Sequence, residues 1–147
     1  MIKYFKPASP PSIMVMVLFI CVHNAGRSQM AEAFFNNLSE GRHRGISAGS
    51  RPAETVNPIV VEAMREVGID ISGNEPKKLT KEMILEADLA ITMGCGEDAC
   101  PVVPNELRDW QLEDPHGKPI ETVRKIRDEI QLKVKTLIKE LDDNREQ

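Results

Sequence analysis

The hydrophobic positions of this chain follow two patterns, a continuous run typical of buried strands and a spacing of three or four residues typical of helices. Residues 15–20 form a continuous β-prone apolar run, the pattern of a strand buried on both faces of a parallel sheet. After it, Met30, Phe34 and Leu38 recur every four positions and predict a helix over residues 27–38. The pattern therefore indicates a strand–helix unit as the first regular structure.

The same alternation continues along the rest of the sequence. Further elements are predicted in this order: a strand at 44–48, a helix that starts at Pro58, a helix that ends near Glu86, a strand at 88–93, and a long amphipathic helix from Glu121 onward. Residues 94–118 contain several prolines and little periodicity, so we expect a long functional loop there. Strands that alternate with helices predict an α/β fold with a doubly wound parallel sheet.

Length, composition and charge narrow the class of protein. The 147 residues fit one domain, which we assign to residues 14–147, and residues 1–13, with three prolines, are expected to form a flexible N-terminal arm. Nineteen Lys and Arg residues against 23 Asp and Glu residues give a net charge of −4, which argues against a nucleic-acid partner. The longest apolar run, residues 13–22, is only ten residues long. Since a membrane helix needs about 20, and no signal-peptide cleavage site follows the run, we expect a cytoplasmic protein without membrane association.

The segment between the first strand and the first helix carries the candidate chemistry. A tight loop there can point successive backbone N–H groups inward, and the helix N-terminus adds its positive end, so the two form a cradle for an oxyanion. Arg27, six residues after Cys21, can bind two oxygens of that oxyanion with its planar guanidinium. The same field favours the thiolate form of Cys21, which is then a nucleophile. The residues predicted to bind the oxyanion are Val22, His23, Asn24, Ala25, Gly26, Arg27 and Ser28.

A second interpretation of this segment is a buried cysteine that happens to precede an arginine. The strand before it, the helix after it, the glycine inside it and the serine behind it favour the functional interpretation. Ser28 can hydrogen-bond the thiolate, and the Asn24 side chain can hold the shape of the loop.

These residues resemble the low-molecular-weight protein tyrosine phosphatase family, with its pattern Cys-x5-Arg-Ser, and the arsenate reductases built on the same fold. The similarity covers about residues 15–140 and continues through Gln29–Ala33, Ser47–Gly49, Asn57–Pro58 and Gly68–Ser72. The resemblance implies a three-layer α/β/α fold with a central, mostly four-stranded parallel sheet, in one phosphatase-like catalytic domain. Two positions depart from the family pattern: His23, where the family usually has glycine, and Gly26, where it often has a second cysteine.

The resemblance also implies a general acid. The family supplies it from an Asp-Pro pair, which matches Asp114 and Pro115 here. A positioned acid speeds the displacement of an oxygen by protonating the leaving group. The alternative is an ordinary turn, in which Asp-Pro is also common.

Two features favour the reductase branch over the phosphatase branch. The aromatic content is only 4%, which leaves little to line a wall for an aryl substrate, whereas Cys95 and Cys100 follow a predicted strand. By resemblance to the thioredoxin-coupled arsenate reductases, Cys21 attacks arsenate, Cys95 attacks Cys21 and releases arsenite, and Cys100 then takes over the disulfide. The resemblance implies an external thiol reductant, such as thioredoxin, glutaredoxin or a low-molecular-weight thiol, and no bound cofactor.

Several alternatives stay open at this point. The chain could be a phosphatase that hydrolyses phosphomonoesters through a phosphocysteine at Cys21, or an oxyanion-binding or redox-sensing protein without turnover. Cys95 and Cys100 could be incidental or bind a metal ion. Some related reductases hold potassium near the site, and Asn24, Glu32 and Ser47 match positions that contribute there; because Lys77 would compete with such a cation, we predict no metal. Arg51 is a further candidate for the border of the site.

Overall fold

The computed structural model describes residues 14–94 and 105–145, and its elements follow the alternation of apolar patterns. In these ranges the chain forms β1 (Met16–Cys21), α1 (Arg27–Ser39), β2 (Arg44–Gly49), α2 (Pro58–Arg65), α3 (Lys81–Glu86), β3 (Leu89–Thr92), β4 (Glu106–Asp109) and α4 (Ile120–Arg145). The arm predicted at residues 1–13 lies outside the described residues, and so do Cys95 and Cys100.

The described strands form one parallel sheet in the order β2-β1-β3-β4. Strand β1 lies inside the sheet, with Ile20 opposite Ala48 of β2 on one side and Thr92 of β3 on the other. Residues 17–21 are buried, which explains why this strand is a continuous apolar run rather than an alternating one. The predicted four-stranded parallel sheet is confirmed.

Helices cover both faces of the sheet and complete three layers. One face packs against α1, α2 and α4, and its buried sheet residues are Val17, Phe19, Cys21, Leu89, Ile91 and Met93. The other face, with Leu18, Ile20 and Ala90, packs against Met83 and Ile84 of α3. Alternate residues of β1 therefore serve two separate cores, as the period of two in a strand requires. The predicted α/β/α architecture is confirmed.

Strand β4 corrects one prediction. Residues 94–118 were expected to be a loop throughout, but Glu106–Asp109 pair with β3, from Leu89 opposite Glu106 to Thr92 opposite Asp109. Three of the four β4 residues are exposed, because β4 is the edge strand of the sheet as described. An edge strand that buries so little carries no apolar run, so the hydrophobic pattern could not reveal it.

Helix α4 is fastened to the end of α2 by an arginine pair. Arg124 donates from Nε and Nη2 to the Glu66 carboxylate, and Arg127 donates to Glu66 at 2.8 Å and to the Ala63 carbonyl at 2.8 Å. The Arg124 guanidinium, with help from Arg127, lowers the pKa of Glu66 to about 2. No helix in the described ranges, α4 included, is both long and apolar enough to cross a membrane.

Candidate active site

The site lies at the carboxyl ends of β1 and β3. The chain leaves β1 toward β2 on one side, and β3 lies on the other, so the strand order reverses at β1. Ligands of open α/β sheets bind in the crevice at such a switch point. A cavity of about 420 Å³ opens there, lined by Cys21, His23, Ala25, Gly26, Arg27, Arg51, Pro52, Ala53, Asn57, Asp114, Pro115 and His116. The structure thus brings together residues predicted from two separate motifs: Cys21 and Arg27 from the first, and Asp114 from the second.

The loop of residues 21–28, called the anion loop below, has three carbonyl groups turned toward the segment 51–57. The carbonyls of Val22, His23 and Ala25 accept hydrogen bonds from the backbone N–H groups of Arg51, Ala53 and Asn57, at 2.9, 3.0 and 2.9 Å. Within a planar trans peptide the N–H points opposite to the C=O. The N–H groups of His23, Asn24 and Gly26 are therefore directed to the other side of the loop, as the predicted cradle for an oxyanion requires.

Two donors converge on the sulfur of Cys21, which is buried with 2% of its surface exposed. The Asn24 N–H lies 3.3 Å from Sγ, and the Ser28 hydroxyl lies 2.9 Å from it. The Asn24 side-chain amide donates to Ser28 Oγ at 2.6 Å, so the hydroxyl proton of Ser28 is free to point at Sγ. These two hydrogen bonds fix the position of the buried sulfur at the end of β1.

Asn24 holds the anion loop from behind. Its side-chain oxygen accepts from Gln29 Nε2 at 3.0 Å and from the Lys77 N–H at 2.8 Å, which fixes the orientation of the amide. The amide nitrogen also donates to Ser47 Oγ at 3.0 Å. Asn24 has φ of +51°, a left-handed conformation that asparagine tolerates better than most residues. Its side chain supports the loop, as expected.

The predicted oxyanion-binding residues divide into two groups. His23, Ala25, Gly26 and Arg27 line the cavity, whereas Val22, Asn24 and Ser28 are not among the lining residues. Ser28 and Asn24 are fully buried and act on Cys21 through the hydrogen bonds above.

Arg27 and Asp114 meet across the cavity. The Arg27 guanidinium is buried, with only 7% of the side chain exposed, and it donates to the Leu112 carbonyl at 3.3 Å. Its Nη2 lies 3.7 Å from Asp114 Oδ2, while Asp114 Oδ1 accepts the His116 N–H at 3.0 Å. Half of the Asp114 side chain is exposed. This carboxyl group is thus fixed beside the guanidinium and still faces the entrance of the site.

Gly94 connects the end of β3 to this centre. A Cβ atom on Gly94 would lie 3.0 Å from Arg27 Nη1 and 3.2 Å from the Leu112 oxygen, and its φ is +74°. Only a residue without a side chain fits so close to the guanidinium in this conformation. Cys95 follows directly, outside the described residues.

Lys77 and Arg51, the other two candidates from the sequence, lie near the active site. The Lys77 ammonium lies 3.4 Å from Glu32 Oε1, and Glu32 also accepts the Ser47 hydroxyl, so Lys77 lies beside the residues that matched a cation position. Arg51 lines the cavity, as proposed from the sequence.

Sequence reasoning missed Pro52, Ala53 and Asn57 as lining residues. Asn57 is the N-cap of α2, where its side chain accepts the Ile59 N–H at 2.9 Å. The signal that could have found them is topological, because loops that follow parallel strands gather at the same edge of the sheet.

Comparison with known proteins places this site in a family. The family model described as low molecular weight phosphotyrosine protein phosphatase matches residues 16–147. The glutaredoxin arsenate reductase of Synechocystis sp. is 38% identical over 128 residues, which cover 85% of this chain and 97% of that protein. A solved structure of the thioredoxin-dependent arsenate reductase Cg_ArsC1' of Corynebacterium glutamicum has a TM-score of 0.75 and 39% identity, covering 89% of this chain and 63% of that chain.

A phosphatase of the same fold is also similar. The structure of the YwlE arginine phosphatase from Geobacillus stearothermophilus has a TM-score of 0.77 and 25% identity, covering 89% of this chain and 95% of that chain. The family match, over residues 16–147, extends across the sheet, the anion loop and the turn that carries Asp114. This chain belongs to the low molecular weight phosphotyrosine protein phosphatase family.

Proposed function

We propose that this protein reduces arsenate to arsenite, with Cys21 as nucleophile and with Cys95 and Cys100 as a disulfide relay. The observation that carries the proposal is the closeness of Gly94 to the Arg27 guanidinium, which a Cβ atom on Gly94 would approach to 3.0 Å. Cys95 is the next residue in the chain after this glycine. A phosphatase has no use for a thiol at this point, whereas a reductase needs one. The similarity to thioredoxin-dependent and glutaredoxin arsenate reductases supports the same conclusion.

The first step forms a sulfur–arsenic bond. Arg27 and the inward N–H groups of the anion loop bind the oxygens of arsenate. The Cys21 thiolate attacks arsenic, and Asp114 donates a proton to the departing oxygen, which leaves as water. Arsenic is still pentavalent in this adduct, so no electrons have been transferred.

The second step transfers the electrons. The Cys95 thiolate attacks Cys21 Sγ, a Cys21–Cys95 disulfide forms, and the sulfur–arsenic bond breaks with its electron pair on arsenic. Arsenic is thereby reduced to the trivalent state and leaves as arsenite. Cys100 then attacks Cys95, which frees Cys21 and leaves a Cys95–Cys100 disulfide.

An external dithiol closes the cycle. Because both electrons come from thiols, we propose thioredoxin or a glutaredoxin-type protein as the partner and no bound cofactor. A relay of this kind has to begin each cycle with reduced cysteines, which suits the reducing cytoplasm.

The lining of the cavity fits a small oxyanion. Among the described residues that line it, none is Phe, Tyr or Trp, and Arg27 and Arg51 contribute positive charge. A flat aryl group would meet no Phe, Tyr or Trp ring to stack on among these described lining residues. Arsenate and phosphate share the tetrahedral shape and charge that such a lining recognises.

The test is NADPH oxidation with thioredoxin and thioredoxin reductase, measured with and without arsenate. We expect arsenate-dependent oxidation over many turnovers by the wild-type chain. Cys100→Ser should release at most about one arsenite per enzyme and then stop, because the Cys21–Cys95 disulfide cannot move on. Cys95→Ser should release none. Sustained turnover by Cys100→Ser with thioredoxin would contradict the relay.

The second candidate is a phosphomonoesterase, with tyrosine phosphate as the expected substrate class. The geometry of Cys21, Arg27 and Asp114 favours it, because these three residues suffice for a phosphocysteine intermediate and its hydrolysis. Under this alternative, Cys95→Ser and Cys100→Ser would leave the hydrolysis of an aryl phosphate unchanged, and arsenate would cause no NADPH oxidation. Glutaredoxin with glutathione is the control reductant, since a silent thioredoxin assay alone would not separate the two candidates.

A further inference from the structure

Gly26 lies so close to the ring of Pro115 that a side chain at position 26 would collide with it. A Cβ atom on Gly26 would lie 2.7 Å from Pro115 Cγ, with Pro115 Cδ at 3.6 Å and Val60 Cγ2 at 3.7 Å. The φ of Gly26 is −145°, outside the left-handed region that favours glycine. The close approach of the proline ring, rather than this φ, therefore accounts for the glycine.

Pro115 belongs to a short turn, residues 114–118, that carries Asp114. The Lys118 N–H donates to the Pro115 carbonyl at 3.1 Å, and the His116 N–H donates to Asp114 Oδ1 at 3.0 Å. Pro115 is buried, whereas Asp114 and residues 116–118 are exposed. The proline is thus the buried residue of the turn, and it directly follows Asp114 in the chain.

We propose that Gly26 is a positioning residue for Asp114. The absent side chain leaves room for the Pro115 ring against the anion loop, and the ring in turn places Asp114 Oδ2 3.7 Å from Arg27 Nη2. This inference rests on the role of Asp114 as general acid in the proposed function. It assigns a purpose to the glycine that stands where the family often has cysteine.

The variant Gly26→Ala adds a single methyl group and so tests the close approach of Gly26 and Pro115. In Gly26→Ala the ring of Pro115 must move by about 0.7 Å or more, since ordinary contacts begin at 3.4 Å and the new one would be at 2.7 Å. Misplacement of a catalytic group by about 1 Å can cost on the order of 100-fold in rate. We therefore expect Gly26→Ala to slow the first release of arsenite by about 10- to 100-fold.

The experiment measures arsenite release in a single turnover of the reduced chain, for Gly26→Ala, Asp114→Asn and the double variant. If Gly26 acts through Asp114, the double variant should be as slow as Asp114→Asn alone, because there is no acid left to misplace. Gly26→Ala combined with Pro115→Ala should likewise be no slower than Pro115→Ala alone. The second pair keeps the test valid if Gly26→Ala folds poorly, since the smaller residue at 115 removes the clash.

A second measurement separates the position of the acid from damage to the anion loop. Inorganic phosphate should protect Cys21 from iodoacetamide equally well in the wild-type chain and in Gly26→Ala, because the inward N–H groups are retained. A wild-type rate in Gly26→Ala, additive losses in the double variant, or lost phosphate protection would each overturn the inference.

Failure of the proposed function gives a different pattern. If the wild-type chain releases no arsenite, the reductase is refuted, and the same variants are compared on an aryl phosphate, where Asp114 protonates the leaving phenolate. The same non-additive losses are expected there. A wild-type chain inactive on both substrates would refute the inference together with the function.

Discussion

The direction of the hydrogen bonds around Cys21 makes Ser28→Ala the most informative single change. The Asn24 amide donates to Ser28 Oγ, which leaves the serine proton available to the Cys21 sulfur 2.9 Å away, and we assign Ser28 as the donor of that bond. The alanine removes this donor and nothing else that touches the sulfur. The Asn24 N–H, 3.3 Å from Sγ, remains as the second donor.

The size of the effect follows from the charge of the acceptor. A hydrogen bond to a charged group contributes about 1.5–3 kcal/mol. Since about 1.4 kcal/mol corresponds to a factor of ten, the alkylation of Cys21 should be slowed by up to about 10- to 100-fold at a fixed neutral pH. The fold should survive, because the Asn24 amide still donates to Ser47 Oγ at 3.0 Å.

The assay is the rate of iodoacetamide alkylation, with the label on Cys21 resolved from the other two cysteines by peptide mass spectrometry. Ser47→Ala is the matched control: it also removes one serine hydroxyl bonded to Asn24, but one that does not touch the sulfur. We expect it to change the alkylation rate by less than about threefold. Equal rates for wild type and Ser28→Ala, or equal losses in both variants, would refute the assigned hydrogen-bond direction.

Two further predictions concern stability. Glu66→Gln should unfold at a lower denaturant concentration than the wild type near neutral pH. Arg124 and Arg127 lower the pKa of Glu66 from 4.5 to about 2. The stabilisation by the Glu66 carboxylate is therefore complete above pH 4.5 and is lost as the pH falls toward 2. Denaturation curves at several pH values should therefore converge in acid, and a constant gap between the two proteins would contradict the ion pair. Gly49→Ala should destabilise the chain by about 1–3 kcal/mol or more and weaken phosphate protection of Cys21, since its Cβ would lie 2.6 Å from the Val22 oxygen and 2.9 Å from the Asn24 nitrogen. Both atoms belong to the backbone of the anion loop. If Gly49→Ala kept wild-type stability and wild-type phosphate protection of Cys21, the loop could move to make room, and the prediction would be wrong.

Local patterns in the sequence were enough to predict much of the scaffold and several residues that line the candidate site. The apolar run of β1 predicted a buried central strand because burial on both faces leaves no polar position. The six-residue spacing of Cys21 and Arg27, between a strand and a helix, predicted the anion loop because that geometry is local to one turn. Asp114 came from its neighbour Pro115 and from resemblance to a family.

The same patterns failed where an element buries little. Strand β4 lies at the edge of the described sheet with most of its side chains exposed, so its hydrogen bonds to β3 leave no trace in the hydrophobic period. Its existence depends on the position of β3, which only the assembled sheet supplies.

The sequence by itself determined which residues could react; the tertiary structure decided how they are held. The hydrogen bond from the Lys77 N–H to Asn24 joins residues 53 positions apart, and that from Arg27 to the Leu112 carbonyl joins residues 85 positions apart. The close approaches of Gly26 to Pro115 and of Gly94 to Arg27 are of the same kind. Periodicity reports the burial of a single element, whereas these contacts exist only once several elements have packed together. The reactive residues of the site can therefore be recognised from short stretches of sequence, whereas their positions depend on contacts between distant parts of the chain.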